Sequence, residues 1–264
     1  MLTVGTHYHA SPSWFEPLEL LLFQMDRNAV DKAVLIQHRG QYDNRYLLEC
    51  ARRFPGRFAI VGMVDIGLPD APGVLASWSA QGVQGVRLGP AERSPGSDPL
   101  AIWRKASELG LVVRSLGTVE EYASDGFRAV VEALPDLPII IEHLGFAGRD
   151  PDPSYATYRT VLALSRYPNT YMKVPGLGEI MPRPTPAREP PFDIADVPPP
   201  IDMAIEAFGA NRLMLGTDYP PCSNREGYGN VVGLLREYLS GRSVAEQEAI
   251  FGKTAGRLFS FEDA

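Results

Sequence analysis

Eight short β-like runs recur along the chain, and helix-like stretches separate most of them. The runs are LTVGTHYH (2–9), KAVLIQ (32–37), FAIVGMVD (58–65), VQGVRLG (83–89), GLVVRSL (110–116), LPIIIEHLG (137–145), TYMKVPG (170–176) and RLMLGTDYP (212–220). Several are continuously apolar, the pattern of strands buried on both faces. Between them lie segments such as NRYLLECARRFP, DPLAIWRKASELG, GFRAVVEALPD and PIDMAIEAFGA, with apolar residues three and four apart and Gly or Pro commonly closing them. Eight strands alternating with helices predict one parallel sheet closed into a (β/α)8 TIM barrel, an α/β fold that a chain of 264 residues fills as a single domain over 1–264. A doubly wound open sheet is the competing arrangement, but the Gly-rich dinucleotide turn it carries is missing.

The net charge of −7, with arginines and lysines scattered, argues against nucleic acid or an anionic membrane as partner, since either requires a concentrated basic surface. No apolar run approaches ~20 residues, so no transmembrane helix is expected. The start MLTVGTHYHA lacks a basic region followed by an apolar one, so no signal peptide is expected. Cys50 and Cys222 stand in no metal-like spacing and suit a reducing cytoplasm, with Cys222 a bystander near TDYPP. Residues 182–200 contain eight prolines and exclude regular helix or central strand. Following the seventh strand, they would lie over the barrel's C-terminal mouth, where active sites are built; the other assignment is a stiff surface connector. The segment EQEAIFGKTAGRLFSF is expected to form a terminal helix closing the outer layer.

The chain has four histidines and places two of them, His7 and His9, one residue apart. Residues i and i+2 share a strand face, with Cα atoms ~6–7 Å apart, so a metal can bridge the two rings. Asp218 closes the eighth run, and barrel closure sets that strand ~4.8 Å from the first. Two neutral imidazoles and one carboxylate form an open site for one divalent ion, zinc by donor type, with a position left for water. His143 is the last of three alternate residues, Ile139, Ile141 and His143, expected on one face of strand six, which turns Glu142 away toward the helices. Arg87 and Arg114 end strands four and five, Lys173 lies on strand seven, and each offers a cation to an anionic small-molecule substrate. His38, in the loop after strand two, and Tyr219, beside Asp218, complete the candidate substrate contacts.

Taken in order, THYHA, KAVLIQ…YDNRYLLECARRFPGRF, GVRLGP, EHLG, YMKVPG and GTDYP resemble the amidohydrolase superfamily, specifically its amidohydrolase-2 branch and the lactonase-like members within it. The resemblance implies hydrolysis of a lactone or similar cyclic ester, with Asp218 activating water and His143 and Arg87 holding carbonyl and carboxylate. Two departures stand out. The strand-five histidine that completes the metal site in many relatives is absent, and strand four has no lysine to carboxylate, so a binuclear centre is not expected. Some lactonase-like relatives work without metal, in which case His7 and His9 polarise the carbonyl. The alternative is a non-oxidative decarboxylase of an aromatic or unsaturated acid, and beyond that a barrel that only binds a ligand. Substrate choice is assigned to loops 10–20, 38–45, 182–200 and 221–229, and association of copies stays open.

Overall fold

The computed structural model describes residues 1–10, 17–149, 152–182, 186 and 189–261. Its parallel strands are β1 (Val4–Tyr8), β2 (Lys32–Ile36), β3 (Phe58–Gly62), β4 (Gly85–Leu88), β5 (Val112–Ser115), β6 (Ile139–Ile141), β7 (Thr170–Val174) and β8 (Leu213–Leu215), paired in sequence order in one sheet. The ends of the sheet meet where Tyr8 bridges Tyr219 and the His9 amide donates to the Tyr219 carbonyl at 2.9 Å. Thr6 Oγ1 donates to the Leu215 carbonyl at 2.5 Å and Thr217 Oγ1 to the His7 carbonyl at 3.0 Å. The result is a nearly closed (β/α)8 barrel.

Continuous apolar strands arise because each strand has two dry faces. On β2, Ala33 and Leu35 pack outward against the helices, while Val34 and Ile36 point into the lumen. The lower lumen is filled by Val34, Ile36, Ala59, Val61, Val112, Ile140 and Met214. Phe259, from the end of the terminal helical segment, joins this cluster from below, while Ile250 and Phe251 pack in the outer layer. The terminal segment therefore plugs the barrel's floor as well as covering its side. Burying each such side chain contributes roughly 1.5–3 kcal/mol, which makes the floor a rigid base for what stands above it.

The helices around the sheet are amphipathic. Arg45–Arg53 buries Leu47, Leu48 and Cys50, and Ala101–Glu108 buries Ile102, Trp103 and Ala106. After β5, Thr118 and Glu121 form a capping box that starts the helix Val119–Ala123 and fixes one wall of the mouth. In the Pro-rich segment the described residues form bends and a short 3₁₀ turn, Ile194–Asp196, before the helix Pro200–Phe208. Positions 183–185 and 187–188 of the expected mouth cover, and 11–16 of the first substrate loop, lie outside the described residues. No helix among the described residues is long and apolar enough to cross a membrane.

Candidate active site

Above the apolar floor the lumen becomes polar. His7, near the end of β1, and His9, just beyond it, bring their Nε2 atoms within 3.0 Å of each other. His9 Nδ1 lies 2.7 Å from the Ile36 carbonyl, which can only accept, so His9 carries its proton on Nδ1 and offers a lone pair at Nε2. His7 fills that lone pair with its own Nε2 proton, and its Nδ1 accepts in turn from the Lys173 ammonium. The chain of donors closes only with both rings neutral. Burial, helped by Lys173, holds His7 well below the usual histidine range; burial, with Arg87 and His38, brings His9 to about 3.

Asp218 returns to this pair from the far end of the chain. Its Oδ1 lies 3.4 Å from His7 Nε2, and its Oδ2 accepts from Arg225 Nη1 at 2.9 Å. Burial opposes its charge, but His143, Lys173 and Arg225 outweigh it and hold the carboxyl below its ordinary value. Its backbone is left-handed, with φ of 53°. Aspartate tolerates this region better than most residues other than glycine, and the conformation is kept where the surrounding structure requires it.

Strand six corrects an expectation. Ile139 and Ile141 pack outward, and Ile140 occupies the lumen, so the alternation sends Glu142 inward. It is the residue expected to face the helices that stands at the centre of the barrel. His143 would follow Ile141 outward, but the chain enters a left-handed turn there, with φ of 54°, 53°, 61° and 57° over residues 143–146. The turn brings His143 back: its Nδ1 donates to Glu179 at 2.6–2.7 Å and its Nε2 accepts from Lys173 at 3.1 Å. Phe146 stacks on the ring at 4.9 Å.

Glu142 gathers the cations that the sequence marks for substrate. Its Oε1 is 3.1 Å from Arg114 Nη2 and 3.7 Å from Lys173 Nζ; its Oε2 is 3.4 Å from Arg87 Nη2. Arg114 also donates to the Thr6 carbonyl, and Arg87 to the Gln37 carbonyl at 3.1 Å. Although burial opposes the charge on Glu142, Lys173, His7, Arg87 and Arg114 hold its carboxyl well below the carboxylate range. Burial pushes Arg114 down to about 10 and Lys173 to about 7. The lysine stem passes over Gly216, where a Cβ would lie 2.0 Å from Lys173 Cδ. Three consecutive isoleucines leave the inward face of β6 undecided in the sequence, so no sequence signal assigns Glu142, and none exists for Glu179 and Arg225, contributed by loops.

The remaining candidates lie at the edge. His38 stacks on His9 with ring centroids 4.3 Å apart. Tyr219 is buried outside the lumen, its ring edge-on to Tyr228 at 5.7 Å, and it touches the site through its backbone. Cys222 is a buried free thiol, pushed up by burial. A cavity of about 620 Å³ opens at the mouth, lined in part by Arg39, Glu92, Thr118, Glu121 and Phe146. Among the described residues no histidine lines it, and Phe146, which stacks on His143, is part of its wall.

The donor set passes the test for a metal. His7, His9 and Asp218 each offer a ligand atom, all within 4.8 Å of one another. The His7–His9 and His7–Asp218 separations of 3.0 and 3.4 Å are short enough for one ion to bridge these atoms. An ion held at His7 Nε2 would need the ring proton on Nδ1, which lies 3.4 Å from Glu142 Oε1, a carboxylate that would orient the ring in place of the Lys173 contact. Strand five supplies Arg114 and Ser115 here and no fourth ligand.

Comparison with known proteins shows the family and the fold. The Amidohydrolase family matches residues 6–261. An L-fucono-1,5-lactonase of Burkholderia ambifaria is 28% identical over 215 residues, covering 79% of this chain and 69% of that protein. A proposed 2-pyrone-4,6-dicarboxylic acid hydrolase of Pseudomonas putida superposes with a TM-score of 0.78 at 25% identity, over 100% of both chains. A zinc-bound amidohydrolase of Burkholderia multivorans superposes with a TM-score of 0.81 at 23% identity, over 98% of this chain and 99% of that one, a likeness of fold.

Proposed function

Because the chain belongs to the Amidohydrolase family, we propose that it is a hydrolase that opens a lactone or similar cyclic ester with water activated by Asp218. The observation that carries this is the Asp218 carboxylate: one oxygen is tied to Arg225, and the other stands beside two neutral imidazoles, with the side chain 13% exposed at the mouth. Two of the similar proteins are named for cyclic esters, which supports the substrate class.

Asp218 Oδ1 takes a proton from water as the water oxygen attacks the ester carbonyl. The same proton passes to the ring oxygen as the C–O bond breaks, leaving a hydroxy acid. Lys173, bonded to both His7 and His143, places a positive charge behind the carbonyl oxygen as negative charge develops there. Glu179 fixes the His143 ring, and His38 packs against His9 at the entrance. A single ion held by His7, His9 and Asp218, zinc by the chemistry of the donors, would supply carbonyl polarisation and a more acidic water.

Glu142 already holds Arg87 and Arg114, so Arg39, exposed on the cavity wall, replaces them as the group that pairs with a substrate carboxylate. Two buried cysteines without a disulfide fit a reducing cytoplasm. The test is Asp218→Asn on a lactone panel. Loss of the base lowers kcat by about a thousandfold. KM changes much less, because the lost proton transfer acts in the transition state, and the melting temperature stays close to wild type. A folded variant with wild-type kcat removes Asp218 from the reaction and the proposed hydrolysis with it.

A further inference from the structure

We infer that the half-buried Arg225 and the buried Glu226 form a clamp that holds Asp218, and through Glu179 also His143, in the working orientation; the kinetic half of this inference rests on the lactone hydrolysis proposed above. Glu226 is the unusual partner. Its side chain has no exposure, and among the described residues neither carboxylate oxygen has a hydrogen-bond partner. The slot that accepts it is carved by two glycines in the VPGLGE segment after β7: a Cβ on Gly176 would lie 2.0 Å from Oε1, and one on Gly178 2.0 Å from Oε2. Any side chain at either position would evict the carboxylate. Burial pushes its carboxyl up to about 7, so it is charged in mildly alkaline solution. A charged group buried with so little compensation destabilises the fold, and such groups persist where function requires them.

What Glu226 does is hold one edge of a planar cation. Its Oε2 lies 3.4 Å from Arg225 Nε. At the opposite edge, Arg225 Nη1 donates to Asp218 Oδ2 at 2.9 Å and lies 3.7 Å from Glu179 Oε2. Glu179 in turn holds His143 Nδ1. The contact is an ion pair rather than a hydrogen bond, and because the guanidinium is rigid, attraction at Nε biases the plane in which Nη1 meets Asp218. With Oδ2 committed in this way, Oδ1 is the oxygen left facing His7 and the water to be activated. Arg225 also bridges two carboxylates, Asp218 and Glu179, that would otherwise repel each other across the site. Glu226 is thus a positioning residue, acting on the reaction through Arg225.

The experiment compares Glu226→Gln with wild type at pH 8, with Arg225→Ala and Arg225→Lys alongside. Glutamine keeps the shape of the carboxylate and removes its charge. The clamp predicts kcat lower by about tenfold in Glu226→Gln and about a hundredfold in Arg225→Ala, from misorientation of the base, with KM within about twofold. Arg225→Lys recovers part of the loss, because it restores one charge without the fork. Melting temperature separates this from a structural role: the neutral amide leaves stability equal or higher while kcat falls. Crystal structures of Glu226→Gln and wild type supply a readout that needs no substrate, in which the Asp218 carboxylate rotates in the variant. Unchanged kcat with Asp218 unmoved overturns the clamp, as does an effect confined to KM, which would make Arg225 a substrate contact. If wild type opens no lactone, the proposed hydrolysis fails by itself, and the orientation of Asp218 in the two structures decides the clamp.

Discussion

Glu142→Gln removes the carboxylate that pairs with Arg87, Arg114 and Lys173 in the upper lumen. The carboxylate lies 3.1 to 3.7 Å from these cations, and none of the four side chains is more than 8% exposed, so solvent screening offsets little. Removing one member of a buried ion pair typically costs about 3–5 kcal/mol, because the partner charge stays buried and uncompensated. Lys173 can relieve part of that by releasing its proton, since burial has already brought it to about 7. The lower end, about 3 kcal/mol, is therefore expected. For a chain of this size that corresponds to a fall in melting temperature on the order of 10 °C.

The assay is urea unfolding of both proteins across a pH series. The folded carboxyl lies well below its ordinary 4.5, so its stabilising contribution is complete above about 4.5 and is lost only as pH falls through the depressed folded value. The gap between wild type and variant should accordingly persist from pH 7 to 5, widening as pH falls because wild type protonates Lys173 there and the variant does not, and it should close only in stronger acid. A variant within about 1 kcal/mol of wild type at pH 7 would refute the assignment of Glu142 as the charge that holds the lumen together.

Two further outcomes follow from the packing and the donor set. Gly216→Ala places a methyl 2.0 Å from Lys173 Cδ, and the lysine stem has no exposed route of escape, so the urea midpoint should fall by the equivalent of about 1–3 kcal/mol at unchanged slope; an unaltered midpoint would show that the stem can be displaced. Elemental analysis should find at most one divalent ion per chain, most of it zinc and removable by a chelator, since the candidate triads among the described residues overlap through shared His7, His143 and Asp218, and His7 is also claimed by Lys173; two ions per chain would contradict this donor set.

Much of this architecture is written locally in the chain. A strand buried on both faces is continuously apolar, an amphipathic helix repeats at three and four, and neither needs distant information, so eight alternating units and barrel order follow from the sequence. The pair His7 and His9 is local as well, because spacing by two puts both rings on one face. Asp218 joins them through barrel closure, a consequence of strand count. What the sequence did not show is set by contacts between residues far apart along the chain. Glu142 faces the lumen because β6 presents Ile140 inward, a parity decided by packing against its neighbours, and His143 is restored to the site by a left-handed turn that no periodicity announces. Arg87, Arg114 and Lys173 look in sequence like three handles for a substrate anion; only tertiary structure shows that one buried carboxylate from another strand has taken them. Gly176 and Gly178 read as ordinary loop glycines until Glu226, from beyond β8, is seen in the space they leave. Apolar burial is decided by local pattern, whereas the partner of a buried charge is decided by which strands and loops the closed barrel brings together.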